Sequence, residues 1–220
     1  MKKEISLYSL FLFIIPIVTL ITCHNMYESY TNVKTIPFID GKISISLVGR
    51  QDYTIWIFKP GFFFYMIISI LFYLKISSYL IANDTQNKFK IYGFVSNFFL
   101  CAYIIALGNR DSLVYETIRR LAIILYIATM YINHLYLAKK LKFLRSYKKI
   151  QFNIMYLRIF YIIIFLMTIL IIIGLPWVNP LFKYPDQLKN IIEWNYFLLV
   201  IIFYLPLSIM FLNIKEKVNI

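Results

Sequence analysis

Ser44, Ser46, Asp52 and Glu193, with His24 as the nearest imidazole, are the residue types from which a hydrolytic or acyl-transfer site is built: hydroxyls to attack, carboxylates and a ring nitrogen to move protons. Nothing in their spacing brings them together. The chain has no Gly-x-Ser-x-Gly elbow, no His-Glu-x-x-His pair and no glycine-rich phosphate cradle, so no residue is assigned a catalytic role. Cys23 and Cys101 offer neither a disulfide framework nor a metal spacing, and His24 and His134 sit in no ligand cluster, so neither a metal nor a cofactor is expected. The alternative chemistry for the same hydroxyls and carboxylates is hydrogen bonding at helix ends. Which of the two applies depends on whether the fold gathers them at one end.

Composition sets that fold. Of 220 residues, 61% are hydrophobic, 19% aromatic and 15% charged, against roughly a quarter charged in a soluble domain. A net charge of +13 would suit nucleic acid only if the basic residues gathered on a soluble scaffold, and none is visible. Nucleic acid is therefore excluded as a partner, and membrane lipids, with other membrane proteins beside them, are the expected ones. Crossing about 30 Å of hydrocarbon takes about 20 apolar residues in a helix. Six segments meet that requirement, approximately 5–23, 61–81, 91–107, 121–138, 159–178 and 191–212. Their continuous apolar character points to helices rather than alternating barrel strands. The expected fold is thus an all-α membrane protein, one domain over 1–220, with six transmembrane helices and a long first loop over 24–60. The first segment follows a basic Met1-Lys2-Lys3 start but lacks a small-x-small cleavage site before Asn25, and is read as a retained span.

Six spans leave both termini on one side. Lys2, Lys3, Lys88, Lys90, the 139–149 cluster, Lys215 and Lys217 collect there, which assigns that side to the cytosol and the 24–60 loop to the lumen or exterior. The sequon Asn83-Asp84-Thr85 then faces the cytosol, where no glycan is added. Within the cluster, Lys139, Lys140, Lys142, Arg145, Lys148 and Lys149 surround Leu141, Leu144, Tyr147 and Gln151 at helical spacing. Such a helix gains roughly 1 kcal/mol per basic residue near an anionic leaflet, so these six are candidate anionic-lipid contacts. Among ionisable residues of the six segments, only Glu193 is read as sitting at all deep, just inside the sixth beside Trp194, and a carboxylate at such a depth marks a candidate site.

The polar stretch before the second segment carries a further pattern. Ile45-Ser46-Leu47-Val48-Gly49 is followed by Ile57-Phe58, eight and nine residues after the glycine, and the sixth segment opens with Glu193-Trp194. This arrangement resembles the FRAG/DRAM/SFK family of six-span proteins, with departures at Leu47 and Tyr53-Thr54. The resemblance implies lipid or glycosylphosphatidylinositol-anchor handling in the secretory and endosomal system, or regulation of phosphoinositide kinases or autophagy. It also implies a lumenal motif made of Ser44, Ser46, Gly49, Asp52, Ile57, Phe58, Glu193 and Trp194. Either this motif caps the bundle, with Gly49 making a turn, or it lines a recess for a lipid headgroup. A lipid-remodelling enzyme and a small transporter are the other functions considered.

Overall fold

The computed structural model describes residues 1–83, 88–108, 113–147, 150–174 and 185–216. Lys148, Lys149, Lys217, Asp84 and Thr85, named above, lie outside them, as does the 175–178 end of the fifth segment. Among the described residues, eight helices and one two-stranded ribbon occur in chain order: α1 Lys2–Thr31, α2 Ile45–Gly49, α3 Ile55–Ala82, α4 Phe89–Ala106, α5 Leu113–Ser146, β1 Ile150–Gln151, α6 Ile154–Ile173, α7 Pro185–Ile202, α8 Tyr204–Asn213 and β2 Lys215–Glu216. Taking α7 and α8 as one span, six helical segments among the described residues are long and apolar enough to cross a membrane. The fold is an all-α multi-pass bundle.

Helix α1 shows how such a chain packs in lipid. Leu7, Phe11, Ile14, Val18 and Ile21 form an exposed stripe, while Ser6, Ser9, Leu12, Thr19 and Cys23 turn inward. Lipid tails are as apolar as leucine, so burying leucine gains little; close approach and hydrogen bonds between helices do the holding. Ser6 and Ser208 accordingly bond α1 to α8, hydroxyl to hydroxyl at 3.0 Å and hydroxyl to backbone carbonyl at 2.9 and 2.8 Å. Asn97 of α4 donates to the Ser69 hydroxyl of α3 at 3.1 Å. Asn133 of α5 donates to the Tyr73 hydroxyl at 3.1 Å and the Ser96 hydroxyl at 3.2 Å, joining three helices at one amide. Helix α1 packs on α3 and α8, α4 lies between α3 and α5, and α6 rests on α5.

Both ends of the described chain meet, since the Lys2 ammonium donates to the Ile214 carbonyl at 3.3 Å and β1 pairs antiparallel with β2, Ile150 opposite Glu216. An ion pair of 2.9 Å between Lys75 and Glu4 lies at this end. Glu193 is therefore not alone among ionisable groups in the apolar segments: Lys75 of the second segment is another, and a single lysine barely alters a hydropathy window. The last span is interrupted at Phe203. Proline supplies no N–H to the carbonyl four residues back, and Pro206 stands in that relation to Ile202.

Helices α1, α3 and α5 outrun the apolar segments that announced them, whereas α6 ends at Ile173. Helix α1 continues to Thr31 and α3 begins at Ile55, so the irregular part of the first loop is 32–54 and contains the short α2. Ile57 and Phe58 thus belong to a helix, not to the loop. Helix α5 runs on through the basic cluster to Ser146, with Leu141 and Leu144 fully buried and Tyr147 exposed, while Gln151 lies in β1. The apolar side of that cluster is covered by protein. Lys139 and Lys142 remain exposed, whereas Arg145 donates to the Phe152 carbonyl at 3.2 Å and Lys140 sits 5.5 Å from the Tyr136 ring centre.

Candidate functional site

At the end opposite the termini, one side of α7 holds the first loop by its backbone. The Asn190 amide donates to the Gly41 carbonyl at 2.8 Å, the Trp194 indole N–H to the Ile43 carbonyl at 3.0 Å, and the Asn195 amide to the Phe38 carbonyl at 2.9 Å. Gly41 has a φ of 60°, and a Cβ there would strike the Gln187 backbone, so glycine both makes the turn and lets the loop lie against α7. The Glu193 carboxylate faces the backbone N–H groups of Ser46 and Ile45, the first residues of α2. Ser44 completes that helix start by accepting from the Leu47 N–H at 3.0 Å, and its hydroxyl lies 3.2 Å from that of Ser46. Replacing Ser44 by alanine is expected to cost about 1 kcal/mol, as for other lost caps, and thermal unfolding in detergent measures it. An unchanged midpoint would mean that α7 alone holds α2.

Ser44, Ser46, Glu193 and Trp194 are therefore brought together, and their polar atoms meet backbone. Gly49 enters differently from the expectation. Its φ is ordinary; the constraint is room, because a Cβ would come within 2.6 to 2.9 Å of the Phe58 ring. The turn assigned to Gly49 is thus corrected to a close approach, and the left-handed glycine of this loop is Gly41. The Thr54 hydroxyl ties the end of α2 to the start of α3 through the Val48 carbonyl. Asp52 is exposed and Ile57 half-buried. The cavity beside Glu193, lined also by Tyr103, Tyr126 and Tyr196, measures about 20 Å³, the space of about one water molecule.

The larger space lies on the other side of Trp194. A groove of about 450 Å³ runs between α1 and α7, inside the range of roughly 300–1,000 Å³ usual for ligand sites. Ile17, Leu20, Ile21, His24 and Asn25 form one wall at helical spacing, and Trp194, Phe197, Leu198 and Ile201 form the other. Thr35, Ile36, Pro37 and Phe38 close it at the loop end. At 1.5 Å per residue, each wall is about 10–12 Å long. The walls are apolar and the end is polar, where His24 Nε2 lies 2.9 Å from the Thr35 hydroxyl and 3.8 Å from Glu28 Oε1. Glu28 in turn accepts from the Thr35 N–H at 2.6 Å. Beyond, Asp40 accepts from the N–H groups of Ile36 and Lys42 at 2.9 and 3.1 Å. Burial would raise its carboxyl, but those two donors and the Lys42 ammonium outweigh burial and hold it below the usual range. Its support for the loop is thus present above the ordinary carboxylate pKa and is lost as pH falls through the depressed value.

Of the residues singled out from the sequence, Trp194 and His24 line this groove; Ser44, Ser46, Gly49, Asp52, Ile57, Phe58 and Glu193 do not. A first segment ending at Cys23 leaves Asn25 and Glu28 in the loop, whereas Thr35 and Phe38 lie beyond α1 and no periodicity points to them. Ile17, Leu20, Ile21, His24 and Glu28 carry the helical repeat straight past that point, and this was the available signal.

Comparison with protein-family models, curated proteins and solved structures returns no match. The functional reading accordingly rests on the geometry of the groove and on the residues already quoted.

Proposed function

We propose that this protein holds a membrane lipid in the groove between α1 and α7 and acts, without catalysis, in the handling of membrane lipids or of lipid-anchored proteins. The observation that carries this reading is the groove itself: apolar walls on two spanning helices, half-exposed Ile21 at its side, and a hydrogen-bonded His24–Thr35–Glu28 end. An acyl chain fits the walls and a polar head fits the end. The FRAG/DRAM/SFK resemblance supports the same class of work, including glycosylphosphatidylinositol-anchor handling in the secretory and endosomal system. In this reading the termini face the cytosol, where Lys139, Lys140, Lys142 and Arg145, with Lys148 and Lys149, meet the anionic leaflet.

The test fills the groove. Leu198 is half-buried in its wall, so Leu198→Trp is expected to occupy the space without disturbing the interior. Lipid retained by the purified protein, counted by mass spectrometry, should fall about tenfold, equivalent to about 1.4 kcal/mol of lost affinity. A folded variant retaining as much lipid as the parent would remove the groove from consideration.

A further inference from the structure

The polar end of the groove does not stop at His24. Asn25 is shared with a shallower recess of about 360 Å³ formed with Glu28, Ser29, Asn32 and Lys34. Asn32 ends α1 in the left-handed conformation, φ 55°, and turns the chain back so that the Thr35 N–H reaches Glu28 one turn earlier. The turn places one ammonium and one carboxylate around the same recess. Glu28 is fixed by Thr35 and keeps a side-chain exposure of 27%; Lys34 is exposed and, among the described residues, pairs with no carboxylate. The remaining groups are two amides and a hydroxyl, suited to phosphate or glycerol oxygens.

We propose that the groove selects lipids with a zwitterionic phospho-ammonium headgroup, the ammonium resting on Glu28 and the phosphate on Lys34, with one acyl chain between α1 and α7. This rests on the lipid reading above. An anionic phospholipid without an ammonium would satisfy Lys34 but set its excess charge against Glu28. A sterol or diacylglycerol would leave the Lys34 ammonium without an anion and Glu28 with only Thr35 and His24. A phosphoethanolamine or phosphocholine head matches the pair in number and sign, directly above a wall that accepts a chain.

The location of Trp194 in the groove wall provides the readout. In a Trp56→Phe, Trp177→Phe background, Trp194 is the sole tryptophan, and lipids brominated on their acyl chains quench it when they occupy the groove. The protein is reconstituted with brominated phosphatidylethanolamine, phosphatidylcholine or phosphatidylglycerol in turn. The expected result is quenching at about fivefold lower mole fraction for the two zwitterionic lipids, the size of one partly exposed ion pair. Glu28→Gln, which keeps an acceptor for the Thr35 N–H, should bring the three lipids to parity, and Lys34→Gln should weaken all three. Equal quenching by every headgroup in the parent, or a preference untouched by both substitutions, overturns the headgroup inference and leaves the groove standing. Absence of quenching by any of them overturns the lipid reading as well.

Discussion

Trp194→Ala is expected to cost about 3–5 kcal/mol, the range for removing a large buried aromatic side chain. Trp194 is 4% exposed and has three jobs in one ring. It donates to the Ile43 carbonyl at 3.0 Å, packs edge-on against Phe38 with centroids 5.5 Å apart, and meets His24 in a similar geometry at 6.2 Å. Alanine removes the wall between the groove and the loop together with the donor that holds the loop. Trp194→Phe keeps most of the bulk and loses only the N–H, leaving the buried carbonyl without this donor at about 1–2 kcal/mol. At roughly 2–4 °C per kcal/mol for a chain of this size, the two variants should melt about 10 °C and about 4 °C below the parent. Limited proteolysis should cut 32–54 faster in the same order. If the phenylalanine variant melts as low as the alanine one, the hydrogen bond accounts for the whole effect. If neither moves, α7 does not hold the loop.

Gly93→Leu should be as damaging, by overfilling rather than by loss. A Cβ on Gly93 would overlap the Tyr73 ring across the α3–α4 contact. That ring has no retreat: its hydroxyl is held by Asn133 at 3.1 Å and approaches the Met130 sulfur at 3.5 Å, and Phe89 packs beside it at 5.0 Å. Leucine must push α4 away from α3, which also breaks the Asn97–Ser69 and Asn133–Ser96 bonds. Overpacking costs typically about 1–3 kcal/mol and more when several contacts go together, so a fall of at least about 6 °C is expected. Gly93→Ala should show a smaller fall of the same sign, since the overlap begins at the first carbon. Parent-like melting of both variants would refute the close approach of the two helices.

These two sites differ in how visible they were beforehand. A glycine in an apolar segment invites the idea of close packing, but the tyrosine that fills the space beside Gly93 is twenty positions away and nothing local names it. Trp194 was noted with Glu193 as a motif. The sequence does not say that adjacent side chains on α7 serve opposite sides of one wall, Glu193 toward the start of α2 and Trp194 toward both Ile43 and the groove. Gly49 shows the same limit: glycine suggested a turn, whereas the reason for it is the ring of Phe58.

The sequence by itself determined the class of the protein and the elements of its bundle. Apolar length against hydrocarbon thickness is a one-dimensional criterion, and each span meets it independently of the others. Only the tertiary structure decided which polar residues meet. The Glu193 carboxylate and the hydroxyls of Ser44 and Ser46, read from their types as possible chemistry, turn to backbone around a short helix. His24, Glu28 and Thr35, three residues without a recognisable motif, converge at the end of an apolar groove. Convergence depends on where α1 ends, how Asn32 turns the chain and which residues of α7 face it, and these follow from packing between segments more than 150 residues apart.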